Sequence, residues 1–312
     1  MDIKQLIRQE VKQPTYEKLY MSSVEIDNRR IVSIKLDPET IALLVEIGKE
    51  ILIGLGVKVL SKILGGDGGI DLKALLKKLL DEIFSTVKLA LDQNEVKLAQ
   101  DKLNAVNLLL REYQNSPESS LFRLQDSIVL SAVANETLLR LQPLSTSGYI
   151  LGVITRLAAL QEMANISGNE SEHKNVGQYA SEALPSLEEG FEQLFNINNN
   201  RIGQISTYIE HKLLPDVLIA PQQQHIEREP IGPKYWITLV TMTYNADGVI
   251  RSFVEQENGS TSGDRLKEKL LPQVMASREA DIKRVQDNFM SEVGIPLLEA
   301  IQTIHEIALK FK

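Results

Sequence analysis

The chain has 312 residues, 43% hydrophobic and 24% charged, with 34 Lys and Arg against 42 Asp and Glu, a net charge of −8 and a pI near 5.3. Such a composition is globular and long enough to bury a sizeable core, and its acidity argues against nucleic acid as a partner, because phosphate is neutralised by a basic face. Cysteine is absent, which excludes disulfides, thiolate nucleophiles and Cys-ligated zinc.

In chain order, residues 1–13 predict a short helix ended by Pro14, with no apolar secretory core before it. Synthesis in the cytoplasm is therefore expected, with release by lysis, a secretion apparatus or crystal-like deposits. Residues 23–36, SVEIDNRRIVSIKL, alternate Val24, Ile26, Val32, Ile34 and Leu36 around Asp27-Asn28 and read as a small hairpin. The DPET stretch at 37–40 then offers Asp37 as an N-cap and Pro38 at the first helical position. From Thr40 to Leu64 the polar residues Glu46, Glu50, Lys58 and Lys62 recur every four or eight positions, a single narrow stripe on a helix. GGDGG at 65–69 ends it.

A long amphipathic pattern runs from Asp71 to Tyr113 through Leu72, Leu76, Leu79, Leu80, Ile83, Val87, Leu103, Val106 and Leu110, with a break available near Asp92–Asn94. NSPESS at 115–120 is a turn. Leu121–Leu141 is the next helix, stopped before Pro143, and PLSTSG at 143–148 is a tight loop. After it comes GYILGVITRLAALQEMA, 148–164, in which only Arg156 and Glu162 are charged. A surface helix shows a wide polar face; this one reads as the apolar centre of a bundle. Helical patterning resumes over 177–213, with Pro185 a predicted kink. Four prolines make 214–234 an extended connection. YWITLVTMTYNADGVIRSFVEQ, 235–256, predicts strands 236–244 and 249–255 joined at Asp247-Gly248. NGSTSGD at 258–264 is a loop, and a last helical stretch, 265–311, is interrupted around Gly294 and Pro296.

The expected fold is mainly α: an elongated multi-helix bundle around a central apolar helix, with a small antiparallel β element, the two hairpins sharing one sheet. The chain reads as a single domain, 1–312, with an N-terminal helix and hairpin (1–36), a helical bundle (37–215), and a linker, β-hairpin and C-terminal helices (216–312).

Motifs of chemistry are lacking. Gly54-Leu55-Gly56 lacks the third glycine of a dinucleotide fingerprint and sits in a helical pattern. GGDGG has no Gly-Lys-Ser/Thr after it, and His305-Glu306 has no second histidine at metalloprotease spacing. His173, His211, His225 and His305 are scattered, so no metal site is expected. Glu188-Glu189 and Asp81-Glu82 read as solvated helix faces, as does the Lys73, Lys77, Lys78 cluster, which anionic lipid would also fit. No catalytic residue and no cofactor is predicted. Arg156 is the exception within its helix: a buried arginine requires a partner, and Glu136 or Asp126 on the preceding helix are nearest in sequence.

The order of elements over about 40–215 resembles the N-terminal helical pore-forming domain of the three-domain insecticidal delta-endotoxins (Cry toxins). The resemblance rests on the Gly-rich IGKEILIGLGVKVLSKILGG, the long LLKKLLDEIFSTVKLALDQNEVKLAQDKLNAVNLLLREYQ, then SLFRLQDSIVLSAVANETLLRL, PLSTSG, YILGVITRLAALQEMA and EQLFNINNNRIGQISTYIEHKL. It implies a pore-forming, toxin-like protein that catalyses no reaction, acts at a target-cell membrane and self-associates there. The inserting hairpin would be about 121–164, presenting Leu130, Val133 and Leu138 from its first arm. Its second arm would present Tyr149, Ile150, Leu151, Val153, Ile154, Leu157 and Leu160, with Arg156 a buried polar point; 41–64 would be an auxiliary amphipathic segment. The family's β-rich receptor-binding domains have no counterpart in 1–36 or 216–312, so a receptor is not carried over. Two other readings fit the same pattern: a helical scaffold or interaction protein whose apolar helix never leaves the core, and a cell-death executor acting on its own host's membrane. An enzyme whose site shows no motif ranks after them.

Overall fold

The computed structural model describes residues 38–64, 74, 93–118, 120–143, 145–213, 236–258 and 263–312. The elements are α1 (Pro38–Ile53), α2 (Gly56–Ile63), α3 (Gln93–Asn115), α4 (Leu121–Arg140), α5 (Thr146–Ser167), α6 (Glu170–Asn199), β1 (Ser206–Leu213), β2 (Trp236–Ala246), β3 (Val249–Asn258), α7 (Gly263–Phe289), a π-helical turn (Met290–Gly294) and α8 (Ile295–Lys310). The fold is mainly α with one small antiparallel sheet, as the patterning predicts. The single domain of the sequence reading becomes two compact units, 1–197 with 288–312, and 198–287. The chain leaves the first at the end of α6 and returns at the end of α7.

In the first unit α5 lies at the centre. α1, α2, α4 and α8 pack on it, and Ile150, Val153, Ile154, Leu157 and Ala158 are fully enclosed. The expectation that both faces of this helix are buried holds for Tyr149, Leu151, Val153, Ile154 and Leu157. Leu160 is a correction: it is half-buried, on one stripe with Arg156 and Met163, positions i, i+4 and i+7 of the same face. The helix ends at Gly168, whose φ of 61° gives the left-handed cap.

The single helix expected over Thr40–Leu64 is two. Gly54 turns the chain at φ 86°, a conformation that costs glycine little. Lys62 therefore folds back onto Glu46 and Glu50, at 2.9 and 2.6 Å. In one straight helix those residues would lie roughly 18–24 Å apart. The regular spacing of the polar stripe was real; its cause is an ion-paired helical hairpin. Of the long 71–113 pattern, α3 is described, and Leu103, Val106 and Leu110 are buried as expected. Leu72, Leu76, Leu79, Leu80, Ile83, Val87, the Lys73, Lys77, Lys78 cluster, Asp81-Glu82, the 1–13 helix, the 23–36 hairpin, GGDGG and the 214–234 connection lie outside the described residues.

The second unit is a sheet of order β1-β2-β3, antiparallel throughout. Asp247 (φ 56°) and Gly248 (φ 85°) make the β2–β3 turn, the two positive angles a tight hairpin requires. The hairpin is as predicted. The third strand is not: 206–213, expected as the end of a helix, is β1. Its Thr207, Tyr208 and Ile209 fit a pleated surface, and Tyr208 pairs with Thr241, so pairing overrides a weak helical pattern. Val240, Met242, Tyr244 and Ala246 alternate toward Leu266, Leu270 and Val274 of α7. Beneath the sheet, Tyr244 donates to Asp281 at 2.9 Å, and Arg251 and Arg284 hold the same carboxylate. Arg251 above all keeps the Asp281 carboxyl below its ordinary range.

α6 runs unbroken through Pro185, as α7 does through Pro272. Pro185 and Ser181 are both exposed, so the carbonyl that loses its helical partner is on the solvent side. The interruption expected near Gly294 and Pro296 is the π-helical turn before α8.

Because Leu157 is fully enclosed by several helices, Leu157→Ala is expected to cost about 2–5 kcal/mol. A urea-denaturation midpoint lowered by that amount, with the secondary structure unchanged before the transition, checks it. A shift under about 1 kcal/mol would mean that α5 is not tightly sheathed.

Candidate functional site

The region that sequence reasoning singles out is the α4–α5 hairpin. α4 buries Leu124, Ser127, Ser131, Ala134, Asn135 and Leu138 toward the core, a stripe of three- and four-residue steps made mostly of small or polar side chains. Such residues let two helices approach closely. Their hydroxyls are satisfied within their own helix: Ser127 donates to the Leu124 carbonyl at 2.7 Å, Ser131 to Ile128 at 2.9 Å, and Thr155 of α5 to Leu151 at 2.8 Å. No buried hydroxyl on this seam is left to be paid in desolvation.

The two helices approach closely at Gly152. A methyl there would sit 1.8 Å from the Asn135 Oδ1. Asn135 is itself buried, and its Nδ2 donates to the Tyr179 hydroxyl of α6 at 2.7 Å. The turn is tied down at both ends: the Ser145 hydroxyl donates to the Leu138 carbonyl and Thr146 to the Pro143 carbonyl at 2.6 Å. The predicted residues divide by depth. Leu138, Tyr149, Ile150, Leu151, Val153, Ile154 and Leu157 are buried, whereas Leu130, Val133 and Leu160 are half-buried. Outward from the seam, α4 exposes Phe122 and Val129.

Arg156 is placed differently from the expectation. It is half-buried, and Glu136 and Asp126 are exposed on α4 without pairing to it. Its guanidinium lies 4.3 Å above the centre of the Tyr179 ring. The ring's negative face takes the part assigned to a carboxylate, while the Arg156 Nε is enclosed with no hydrogen-bond partner among the described residues. Burial pushes the Tyr179 and Tyr149 phenols up, so both stay neutral beside this cation.

The deeper charge is Glu162, which sequence reasoning passed over. It is 2% exposed. Tyr113 of α3 donates to its Oε1 at 2.8 Å, and its Oε2 is enclosed with no hydrogen-bond partner among the described residues. Burial holds its carboxyl above the ordinary value. The signal was available: Glu162 falls on the stripe of Leu151, Thr155 and Ala158, all buried, whereas Arg156 falls on the half-exposed stripe.

Among the described residues no group of three or more His, Asp or Glu is placed to hold a metal ion, and no helix is long and apolar enough to cross a membrane. Comparison with protein-family models, curated proteins and solved structures finds no match for this chain.

Gly152→Ala is expected to destabilise the bundle by about 1–3 kcal/mol through overpacking against Asn135. Asn135→Ala in the same chain makes room, so the double variant is expected to lose less than the two single losses added together. Urea denaturation of the four proteins measures the coupling; strict additivity would refute the contact.

Proposed function

We propose that this chain is a non-enzymatic, pore-forming protein that keeps α5 sheathed in its bundle and releases α4 and α5 together into a target-cell membrane, where copies associate. The observation that carries this reading is the burial of α5 on all but one half-buried stripe, beside a hairpin partner, α4, that keeps Phe122 and Val129 on its outer side. A sheath of removable amphipathic helices hides an apolar helix from water, and the same helix is lipophilic once uncovered. Neither arm is apolar enough to span alone. The reading therefore has the two arms enter paired, with Ser127, Ser131, Asn135, Thr155 and Arg156 turned toward one another or toward a water-filled lumen.

The second reading is a helical scaffold whose core never opens. The polar points of α5 favour it: Glu162 and Arg156 both lie in the helix that would have to meet lipid.

Two engineered disulfides in a chain without native cysteine separate the readings. A Gly48 methyl would stand 3.4 Å from the Thr303 Cβ, near the separation a disulfide requires. The pair Gly48→Cys and Thr303→Cys thus clamps α1 to α8 over α5. The pair Gly152→Cys and Asn135→Cys instead joins the two arms of the hairpin. Dye release from anionic liposomes, scanned from pH 4 to 9 and after limited proteolysis, is expected from the parent and from the arm-locked variant. The clamped variant is expected to leak only after reduction. Parent protein that never releases dye would leave the scaffold reading standing, and equal leakage from both oxidised variants would refute release of the hairpin.

A further inference from the structure

The α1–α2 joint closes on the far end of α5. Asn165 donates to the Gly54 carbonyl at 3.1 Å, and Gln161 donates to Asn165 at 2.9 Å. Gly56, the first residue of α2, is so close that a methyl on it would stand 2.1 Å from Glu162 Oε2. The carboxyl is thus sealed between α5, α2 and Tyr113 of α3, with one donor for two oxygens. Glu162 itself contributes to the lining of a shallow depression open to solvent, together with Leu55, Gly56, Val57, Lys58, Asn165 and Ile166.

We propose that Glu162 is a proton-controlled latch: with its proton on, it is enclosed at a much smaller cost than the carboxylate and α2 stays closed on α5; with its proton lost, the carboxylate draws toward the adjacent water and α2 lifts away. This deepens, and rests on, the pore-forming reading, because lifting α2 uncovers one side of the central helix. The charge is not cancelled from any side. On α2, Lys58 borders the depression without pairing to Glu162, and Lys62 is held by Glu46 and Glu50 of α1. On α3, Arg111 donates to the Leu64 carbonyl, and Glu112 pairs with Arg123 of α4. Asp126, Glu136 and Arg140 of α4 are exposed. On α5, Arg156 is engaged by Tyr179. Among the described residues no hydrogen bond or ion pair joins Glu162 to Glu299, His305 or Glu306 of α8. Tyr113 alone favours the ionised form, and burial outweighs it.

The sign follows from linkage. A carboxyl whose value in the closed bundle lies above the ordinary 4.5 binds its proton more tightly closed than open. Closure is therefore strongest below 4.5 and weakens as pH rises, until the closed form itself has titrated. Opening is expected to grow by up to about tenfold per pH unit over that window and then level off. This is loosening toward neutral and alkaline pH, the reverse of an acid trigger.

Hydrogen exchange of the 56–63 and 158–166 amides, expressed as protection relative to the intrinsic rate at each pH, reads the latch without a membrane. Wild type is expected to lose protection between pH 4.5 and 9. Glu162→Gln, neutral throughout, is expected to keep full protection at every pH. Tyr113→Phe removes the one donor to the carboxylate and is expected to move the levelling-off to higher pH. Protection in wild type that does not change with pH, or a Glu162→Gln protein that loses protection as wild type does, would overturn the latch. Dye release run beside it keeps the two ideas apart. A latch that titrates in a protein that never leaks refutes pore formation and leaves the latch intact. Leakage with pH-independent protection refutes the latch and leaves pore formation.

Discussion

A helix buried on all but one half-open stripe dictates the first unit. Sixteen of the 22 residues of α5 are buried, so every neighbour must offer it an apolar or self-satisfied surface. This explains why α1 and α8 present Ile47, Ile51, Leu297, Ile301 and Ile304 inward. It also explains why α4 meets α5 through serines, an alanine and an asparagine. Larger side chains on that seam would hold the helices apart and open voids around Ile150 and Val153, at a cost that grows with the volume left empty. Gly152 and Asn135 settle the spacing between them. The hydroxyls tolerate this because each bonds a carbonyl one turn back, whereas the Asn135 Oδ1 has no hydrogen-bond partner among the described residues.

The two charges of α5 obey different economies. Arg156 reaches a half-open face and is served by an aromatic ring, an arrangement that desolvates the cation only in part. Glu162 has neither recourse. One phenol donor answers one oxygen, and the α2 backbone closes on the other. An unpaired carboxylate in such a place costs several kcal/mol, and the economical response is to keep its proton. The joint of α1 and α2 is thus built over a group whose charge the solution controls, and the ion-paired cluster of Lys62, Glu46 and Glu50 lies on the same helical hairpin.

Legibility followed the physics of each signal. Residues 148–164 were recognisable because an all-round apolar helix has no alternative to burial. The β2–β3 turn was recognisable because Asp-Gly supplies two positive φ angles. β1 was not, since STYIEHKL is short, mixed in polarity and defined by its partner across the sheet. The α1–α2 break was hidden because polar residues at steps of four and eight satisfy a straight helix and a folded one equally; Gly54 alone told them apart. The division into two units escaped notice for a related reason. α6 and α7 are continuous through the boundaries at 197 and 288, so neither a linker composition nor a proline-rich run marks them. Arg156 was singled out and Glu162 passed over, whereas the phase of the helix, which decides depth, ranks them in the opposite order.

The polar inventory of the hairpin bears on how it could ever meet lipid. A lone α5 would carry Arg156 and Glu162 into hydrocarbon, each expensive there unless paired, hydrated or, for Glu162, neutral. The two lie six residues apart, about 9 Å along the axis and roughly 240° around it, so they cannot neutralise each other within one helix. A single copy therefore gains little by leaving the bundle, where a ring of Tyr179 and the hydroxyl of Tyr113 already serve these charges. Several copies are in a different position: arginine of one and glutamate of another can share a lumen, and α4 can turn Phe122 and Val129 toward the lipid. Cooperative entry is thus what the sequence of α5 itself demands of a pore, and a strictly monomeric insertion is the form of the hypothesis that its charges oppose most.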